Sequence, residues 1–293
     1  MPIFVSKIVK PVETPSLSSP SRIHYQESNL DFLKAAPLHF DCGIQMICIC
    51  GEGIISTGAQ QFHLKKKSEL IFWRGSIMQL IKASADFRVR ILFYPSKIFL
   101  QAAVSLDTTY FNYIKEFPQF EHGQNNDLQS WKNINLWMDM GQMLFSQPSS
   151  SFIEQLELNF LRSMFMWIFS SIPETYISVA RSYTHKQLLF HRFMHLLHDH
   201  AIKEHKVCFY AEKLCISPRY LNEITVTYAN GKTPKELIAE QVTAEIKVQL
   251  NNPHLSVAEI AINSMFPDSS YLCRFFKKNT GMTPKEFRMK RKQ

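Results

Sequence analysis

Short apolar segments separated by turn residues fill the first third of the chain after residue 20. They lie at 44–49, 54–58, 70–73, 77–81 and 87–94. In the last of them Val89, Ile91 and Phe93 occupy alternate positions, as on the buried face of a strand. Turn residues recur about every 8–12 positions, a spacing typical of antiparallel barrels and sandwiches. We therefore expect a small antiparallel β barrel or sandwich over residues 20–105. Its interior is expected to hold Ile47, Ile55, Phe72 and Ile91.

The spacing of apolar residues becomes helical at residue 128. Two long helices are predicted, one starting at Leu128 and one over Ile153–Phe169, with a proline and three serines between them. The pair is rich in methionine and tryptophan, at Trp131, Trp137, Met138, Met140, Met143, Met164, Met166 and Trp167. Packing against the β unit explains this composition, and so does a face kept for a second subunit. We hypothesise homodimerisation through these two helices.

One segment of the last third occurs twice. Residues 231–237, with the sequence GKTPKEL, return fifty positions later at 281–287 as GMTPKEF. Two further repeated features precede the copies, namely the pairs Tyr220-Leu221 and Tyr271-Leu272 and the single residues Ala211 and Ala261. A duplicated helical unit of this size predicts two helix-turn-helix modules in one chain.

Capping chemistry predicts five helix starts in the same region. Thr233 and Glu236 match a capping box with Pro234 at the first helical position, and Thr283 begins the same arrangement again. The remaining N-caps are Ser217, Ser256 and Asp268. The predicted helices are Val207–Leu214, Pro218–Tyr228, Pro234–Gln249, Ser256–Ser264 and Ser269–Asn279. The third helix would hold the modules roughly 24 Å apart, which suits two major-groove segments about one turn, ~34 Å, apart.

Positive charge is concentrated on the duplicated segment. The formal net charge is +8; residues 185–293 carry 17 Lys/Arg against 10 Asp/Glu, a net of +7, and residues 1–184 carry the other +1. Such an asymmetry indicates a polyanionic partner. The length of 293 residues is enough for two domains.

Targeting and cysteine signals are weak. Residues 1–15 lack the apolar block of a signal peptide, and three charged residues, Glu154, Glu157 and Arg162, interrupt the apolar segment 152–172. We therefore expect a cytoplasmic protein without a membrane span. The six cysteines show no paired C-x-x-C spacing, so neither a zinc site nor a disulfide framework is predicted.

Seven segments of the last third, 210–214, 217–221, 231–234, 244–247, 260–261, 270–278 and 281–288, follow the order and spacing of a known domain. On them, residues 185–293 resemble the C-terminal DNA-binding domain of the AraC/XylS family of bacterial transcription regulators. The strand-rich N-terminal segment is similar to the family's cupin-like sensor domain in layout and size. The resemblance implies an α+β chain with a sensor domain at 1–122, a helical dimerisation or connector region at 123–184, and a domain with two helix-turn-helix motifs at 185–293.

The resemblance implies a set of DNA contacts, because both recognition helices of similar proteins enter the major groove. The first recognition helix would present Arg219, Asn222 and Glu223 to the DNA, and the second would present Ser269, Ser270, Tyr271 and Arg274. Phosphate contacts are expected from Ser217, Lys232, Thr233, Lys277 and Lys278. The basic tail, Arg288, Lys290, Arg291 and Lys292, either adds non-specific affinity or is a solvated terminus.

Tyr220 and Tyr271 are expected to pack against the preceding helix rather than to contact bases. The implied partners are double-stranded DNA, a second copy of the chain, a small-molecule effector and, for an activator, RNA polymerase.

Three departures from the family pattern bear on these expectations. Met265 stands where the second module usually has glycine; a left-handed backbone there would cost a methionine on the order of 1 kcal/mol, so a differently shaped turn is expected. Thr225 replaces the phenylalanine usual near the middle of the first recognition helix. Glu223 stands where a basic residue is common, which predicts weaker binding or a different base preference for the first module.

Two metal-dependent alternatives compete with this interpretation. A cupin metalloenzyme would have to draw on His24, His39 and His63, which form no His-x-His pair, so we expect neither an enzyme nor a cofactor. A metal sensor would draw on His191, His195, His198, His200 and His205, the first three of which share a helical face. A polar helix entering the DNA-binding domain explains these histidines without a metal. A metal- or ligand-responsive protein with largely non-specific DNA affinity is the alternative function.

Overall fold

The computed structural model describes residues 18–104, 106, 108–123, 128–146, 151–172 and 184–291. The strands of its N-terminal part are β1 (His24–Ser28), β2 (Leu38–Phe40), β3 (Cys42–Cys50), β4 (Glu52–Ser56), β5 (Gln61–Lys65), β6 (Ser68–Phe72), β7 (Ser76–Ala83), β8 (Arg88–Pro95) and β9 (Gln119–Glu121). One sheet has the order β1-β8-β3-β6-β9 and the other the order β2-β7-β4-β5. The strand pairings are antiparallel. The predicted antiparallel β domain is confirmed.

Strand β3 contributes to two cores, because successive side chains of a strand point to opposite faces. Met46 lies between the two sheets, whereas Ile47 lies on the outer face of the first sheet, in the core beneath the helices. Ile55, Phe72 and Ile91 lie between the sheets, as predicted. The prediction for Ile47 is wrong, since a strand buried on both faces is apolar throughout and its pattern does not reveal which face a residue takes.

A layer of helices covers the outer face of the first sheet. Its members are α1 (Ser96–Ala103), α2 (Thr108–Glu116), α3 (Leu128–Phe145) and α4 (Ile153–Ser171). The rings of Trp73, Phe99, Phe111 and Phe165 meet there with centroids 5.1–6.0 Å apart. The methionines and aromatics of α3 and α4 therefore serve largely as core.

Several elements of this domain have no clear sequence signal. Strand β5 begins with Gln61 and ends with Lys65, and most of its side chains are exposed. Strand β9 is only three residues long. Helices α1 and α2 are eight and nine residues long, which is too short for a reliable helical period.

The C-terminal part is helical. Its elements are α5 (His185–His200), α6 (Val207–Lys213), α7 (Pro218–Tyr228), α8 (Pro234–Leu250), α9 (Val257–Asn263), α10 (Ser269–Thr280) and α11 (Pro284–Arg291). The helices predicted from the sequence match to within one residue at each end. Side-chain caps form at all five predicted starts, at Ser217, Thr233, Ser256, Asp268 and Thr283. These caps satisfy backbone N–H groups that have no partner within the helix.

Helix α8 is the centre of this domain and also touches the β domain. Ile238, Val242 and Ile246 are buried in the core that both helix-turn-helix modules share. Toward the β domain, Gln241 accepts a hydrogen bond from a backbone N–H, and Asn251 donates to the Pro37 carbonyl at 2.7 Å. Within the described ranges, no helix has both the length and the apolar character needed to cross a membrane.

Candidate nucleic-acid interface

Helices α7 and α10, the two expected recognition helices, repeat the same buried positions. Ser217 and Asp268 are their N-caps, and their hydroxyl and carboxylate accept from the backbone N–H three residues later. The fourth residue after each cap is a fully buried leucine, Leu221 or Leu272, and the eighth, Thr225 or Phe276, is also fully buried. Thr225 therefore occupies the phenylalanine position of the second module. The exposed face of each helix is fixed by this shared register.

The turns preceding these helices share a left-handed residue. Cys215 has φ 55° and Met265 has φ 54°. The next N–H reaches back to the alanine of the first helix in both modules, from Ile216 to Ala211 at 3.0 Å and from Phe266 to Ala261 at 2.9 Å. The expectation that Met265 reshapes the turn is wrong, because the backbone takes the left-handed conformation despite the side chain. The second turn differs instead by one added residue, Pro267.

The expected base-contacting residues of the first module lie on the open face of α7. Arg219, Asn222 and Glu223 are exposed. Glu223 forms an ion pair with Lys186, which comes from α5 and lies outside the helix-turn-helix motif. The negative charge of Glu223 is thus neutralised by Lys186, which lies 37 positions away in the sequence.

The corresponding face of α10 is more basic. Ser270, Tyr271, Arg274, Lys277 and Lys278 are exposed, and Ser269 is half-buried. The Arg274 guanidinium lies over the Tyr271 ring, 5.7 Å from its centroid, and that ring is tilted against Phe266 at 5.9 Å. Tyr271 is 48% exposed, so it packs on the turn and on its own helix while remaining accessible. Tyr220 is half-buried against the core of the domain, as expected.

Three of the expected phosphate-contacting residues also have internal partners. The Ser217 hydroxyl accepts from the Tyr220 N–H at 3.1 Å, and the Thr233 hydroxyl caps α8. Lys232 forms an ion pair with Glu240 at 2.8 Å. A contact from Lys232 to phosphate would compete with this pair.

The basic tail is partly anchored. The Arg288 guanidinium donates to the carbonyl oxygen of Leu250, the last residue of α8, and to those of Asn252 and Leu255 just beyond it. Arg288 thus satisfies helix-end carbonyl groups rather than extending free from the surface. Lys290 is exposed, and Lys292 lies outside the described residues.

A cleft of about 110 Å³ separates the β domain from α5. His191, His195 and His198 line it together with Lys115 and Arg74. Burial lowers the pKa of all three histidines, and burial together with the nearby positive charge of Lys115 lowers the pKa of His195 to about 4. Neutral imidazoles are therefore favoured at this contact.

The histidines do not assemble a metal site in the part of the chain that the structure describes, where no group of three or more potential ligands converges. His24, His39 and His63 lie on three different strands, β1, β2 and β5.

Sequence reasoning missed Lys186 and Gln241 among the residues around this interface. Lys186 contacts α7, and Gln241 joins α8 to the β domain. Both act through contacts between segments distant in sequence, for which a single sequence gives no local signal.

Residues 210–290 match a family model described as a helix-turn-helix domain. The chain is 24% identical over 264 residues to the arabinose operon regulatory protein of Salmonella typhimurium, covering 88% of both proteins. It is 32% identical over 72 residues to the uncharacterised HTH-type transcriptional regulator YpdC of Escherichia coli, covering 25% of both. Among solved structures, an apo variant of ToxT from Vibrio cholerae aligns with a TM-score of 0.44 at 13% identity, over 92% of this chain and 98% of that one. Residues 210–290 therefore form a helix-turn-helix domain of the AraC type, as found in DNA-binding transcription regulators.

Proposed function

We propose that this chain is a sequence-specific transcription regulator that reads two successive major-groove segments, one with α7 and one with α10. The observation that carries the proposal is the common register of the two helices. Each begins at a side-chain N-cap, buries its fourth and eighth residues and presents the second, fifth and sixth. On α7 these exposed positions hold Arg219, Asn222 and Glu223. On α10 the same positions hold Ser270 and Arg274, which are exposed, and Cys273, which is half-buried.

The length of α8 supports simultaneous binding by both modules. Its 17 residues span about 25 Å at 1.5 Å per residue. The separation of α7 and α10 is this length plus the radii of the two helices. It suits two major-groove segments one turn, ~34 Å, apart. The basic residues of α10 would supply much of the electrostatic attraction, because neutralised phosphates release counterions.

Selection from randomised duplexes tests this function. Purified protein is incubated with the pool at about 150 mM salt, and retained duplexes are sequenced. Two short enriched blocks about one helical turn, ~10 bp, apart are expected for the wild type. Arg274→Ala should relax the base preference in one block only. The matched control is Lys203→Ala, which removes a charge from the exposed turn just after α5. Retention without enrichment would leave only non-specific DNA binding, the alternative function.

We further propose that the N-terminal domain modulates DNA binding through its contact with α8. The chain divides in this scheme into a sensor domain at 1–122, a helical region at 123–184 and the DNA-binding domain at 185–293. Gln241 and Asn251, one in the middle of α8 and one at its end, are both held by the β domain. A small molecule that entered the cleft beside α5 could change this docking.

Homodimerisation through α3 is the remaining part of the proposal. Leu136 and Met143 are 62% and 63% exposed and lie seven residues apart, on one face of the helix. Sedimentation at micromolar concentration should show a dimer for the wild type and a monomer for Leu136→Lys. Gln129→Lys, an exposed change on the same helix, is the control. A wild-type monomer would exclude the dimer without affecting the assignment of the DNA-binding domain.

A further inference from the structure

The two modules carry a cation over equivalent tyrosine rings, but from different sources. Tyr220 and Tyr271 are both the third residue after an N-cap. Arg274, three residues further on α10, holds its guanidinium 5.7 Å from the centroid of Tyr271. The equivalent position on α7 is Glu223, which cannot make this contact. There, the Lys186 ammonium from α5 lies 5.7 Å from the centroid of Tyr220.

The same lysine forms an ion pair with the residue that replaces the arginine. Lys186 Nζ donates to Glu223 Oε1, and both side chains are partly solvent-exposed, at 42% and 57%. The hydrogen bond to Glu223 raises the pKa of Lys186, so the ammonium stays charged. The backbone on either side of Lys186 is held by a capping box between Thr184 and Gln187 at the start of α5.

The ion pair between Lys186 and Glu223 sets the net charge of the exposed face of α7. Without Lys186, the charges of Arg219 and Glu223 would cancel, and Val226 and Thr227 stand where α10 has Lys277 and Lys278. With Lys186, the face is cationic overall. A carboxylate held in this way keeps its second oxygen, Oε2, for accepting a base hydrogen bond, and cytosine N4 is the donor that suits it.

We propose that Lys186 is a specificity-determining residue of the first module, although it lies outside the helix-turn-helix motif. It positions the Glu223 carboxylate for base contact and supplies the cation that Arg274 supplies in the second module. The proposal rests on the proposed function, because it requires that α7 reads bases.

Base preference separates this role from a general charge effect. Loss of a phosphate-contacting lysine weakens binding to all sequences about equally, whereas loss of a positioning residue changes the preferred base. Lys186→Ala should therefore lower the preference at one position of the first block about 10-fold, and should leave the second block unchanged. Lys186→Arg should keep the preference, because it retains a cation that can pair with Glu223.

The experiment is the randomised-duplex selection followed by affinities for the selected duplex and its single-base variants, over a range of salt concentrations. The variants are Lys186→Ala, Lys186→Arg, Glu223→Gln and the double variant Lys186→Ala/Glu223→Gln, with Lys203→Ala as the charge-matched control. If Lys186 acts through Glu223, Glu223→Gln should change the same base position, and the double variant should resemble Glu223→Gln alone. Thermal unfolding of each variant confirms that the exposed substitutions leave the fold intact.

The outcomes distinguish the two proposals. Two enriched blocks for the wild type with an unchanged base preference in Lys186→Ala would overturn the role of Lys186 and leave the proposed function standing. Equal weakening of Lys186→Ala on every duplex would also overturn it, since that result marks a phosphate contact. Absence of enrichment by the wild type would remove the proposed function itself.

Discussion

The backbone N–H of Ala59 donates to Gln241 Oε1 at 3.3 Å and joins the β domain to the middle of helix α8. The neighbouring residue, Gly58, has φ +105°, and a Cβ atom there would lie 2.4 Å from Gln241 Oε1. The close approach of this segment to Gln241 therefore requires glycine at position 58, because glycine tolerates a positive φ and has no side chain. Because α8 lies between the two helix-turn-helix modules, this contact joins the N-terminal domain to the helix that separates them.

Gly58→Ala should loosen the docking of the two domains. Its expected cost is about 1–3 kcal/mol in the free energy of unfolding, from the positive φ and from the clash with Gln241. Gly231→Ala is the matched control, since Gly231 has φ +85° and nothing within 4 Å of an added Cβ. Urea unfolding should show a larger loss for Gly58→Ala, and small-angle scattering should show a larger radius of gyration for that variant alone. Equal losses and equal radii for the two variants would contradict the contact.

Acidification should weaken the contact between α5 and the β domain. Burial holds the pKa of His195 at about 4, below its ordinary value of 6.5, and the positive charge of Lys115 acts in the same direction, while Asp199 opposes it. Between these two pKa values the unfolded chain binds more protons than the folded one, so the stability that His195 contributes is present above pH 6.5 and is lost as the pH falls toward 4.

His195→Gln tests this dependence because it removes the titrating group. The free energy of unfolding of the variant should fall less steeply between pH 6.5 and 4 than that of the wild type. Parallel curves for the two proteins would contradict the prediction.

Glu245 on α8 should show the opposite dependence on pH. Burial raises the pKa of its carboxyl from 4.5 to about 7. The folded chain then binds the extra proton between pH 4.5 and 7, and the stability from this group is lost as the pH rises through 7. Glu245→Gln should therefore be more stable than the wild type above pH 7, with little difference near pH 5. Chemical unfolding at both pH values measures this, and an equal difference at both would contradict it.

Met265→Gly should stabilise the second module by about 0.5–1 kcal/mol. The left-handed backbone costs a methionine about 1–2 kcal/mol, and the added freedom of glycine in the unfolded chain offsets part of the gain. The side chain is 64% exposed, so little packing is lost. Urea midpoints of the wild type and the variant provide the measurement, with Cys215→Gly as the equivalent change in the first module. A lower midpoint for Met265→Gly would contradict the expected stabilisation.

Features that depend on residues close together in the sequence could be predicted, whereas contacts between distant residues could not. The capped helices were predictable because Thr233 and Glu236, or Ser256 and Glu259, are three residues apart and signal the helix start locally. The face of Ile47 was not, because its segment is buried on both sides. The expected DNA-facing positions of α7 and α10 followed from the resemblance to a known DNA-binding domain. The pair Lys186–Glu223 and the contact Ala59–Gln241 bridge 37 and 182 positions, and only the folded chain brings them together.

The central claim is that two modules, held at a fixed separation by α8, bind two blocks of one duplex at the same time. The most direct measurement is the affinity for the selected duplex with 5 bp inserted between its blocks, which places them on opposite faces of the helix. Because α8 spans only about 25 Å, the two modules cannot follow the displaced block. The account predicts that the insertion lowers the affinity to that of a duplex with a single block. An unchanged affinity would contradict it, since the modules would then bind independently of their separation.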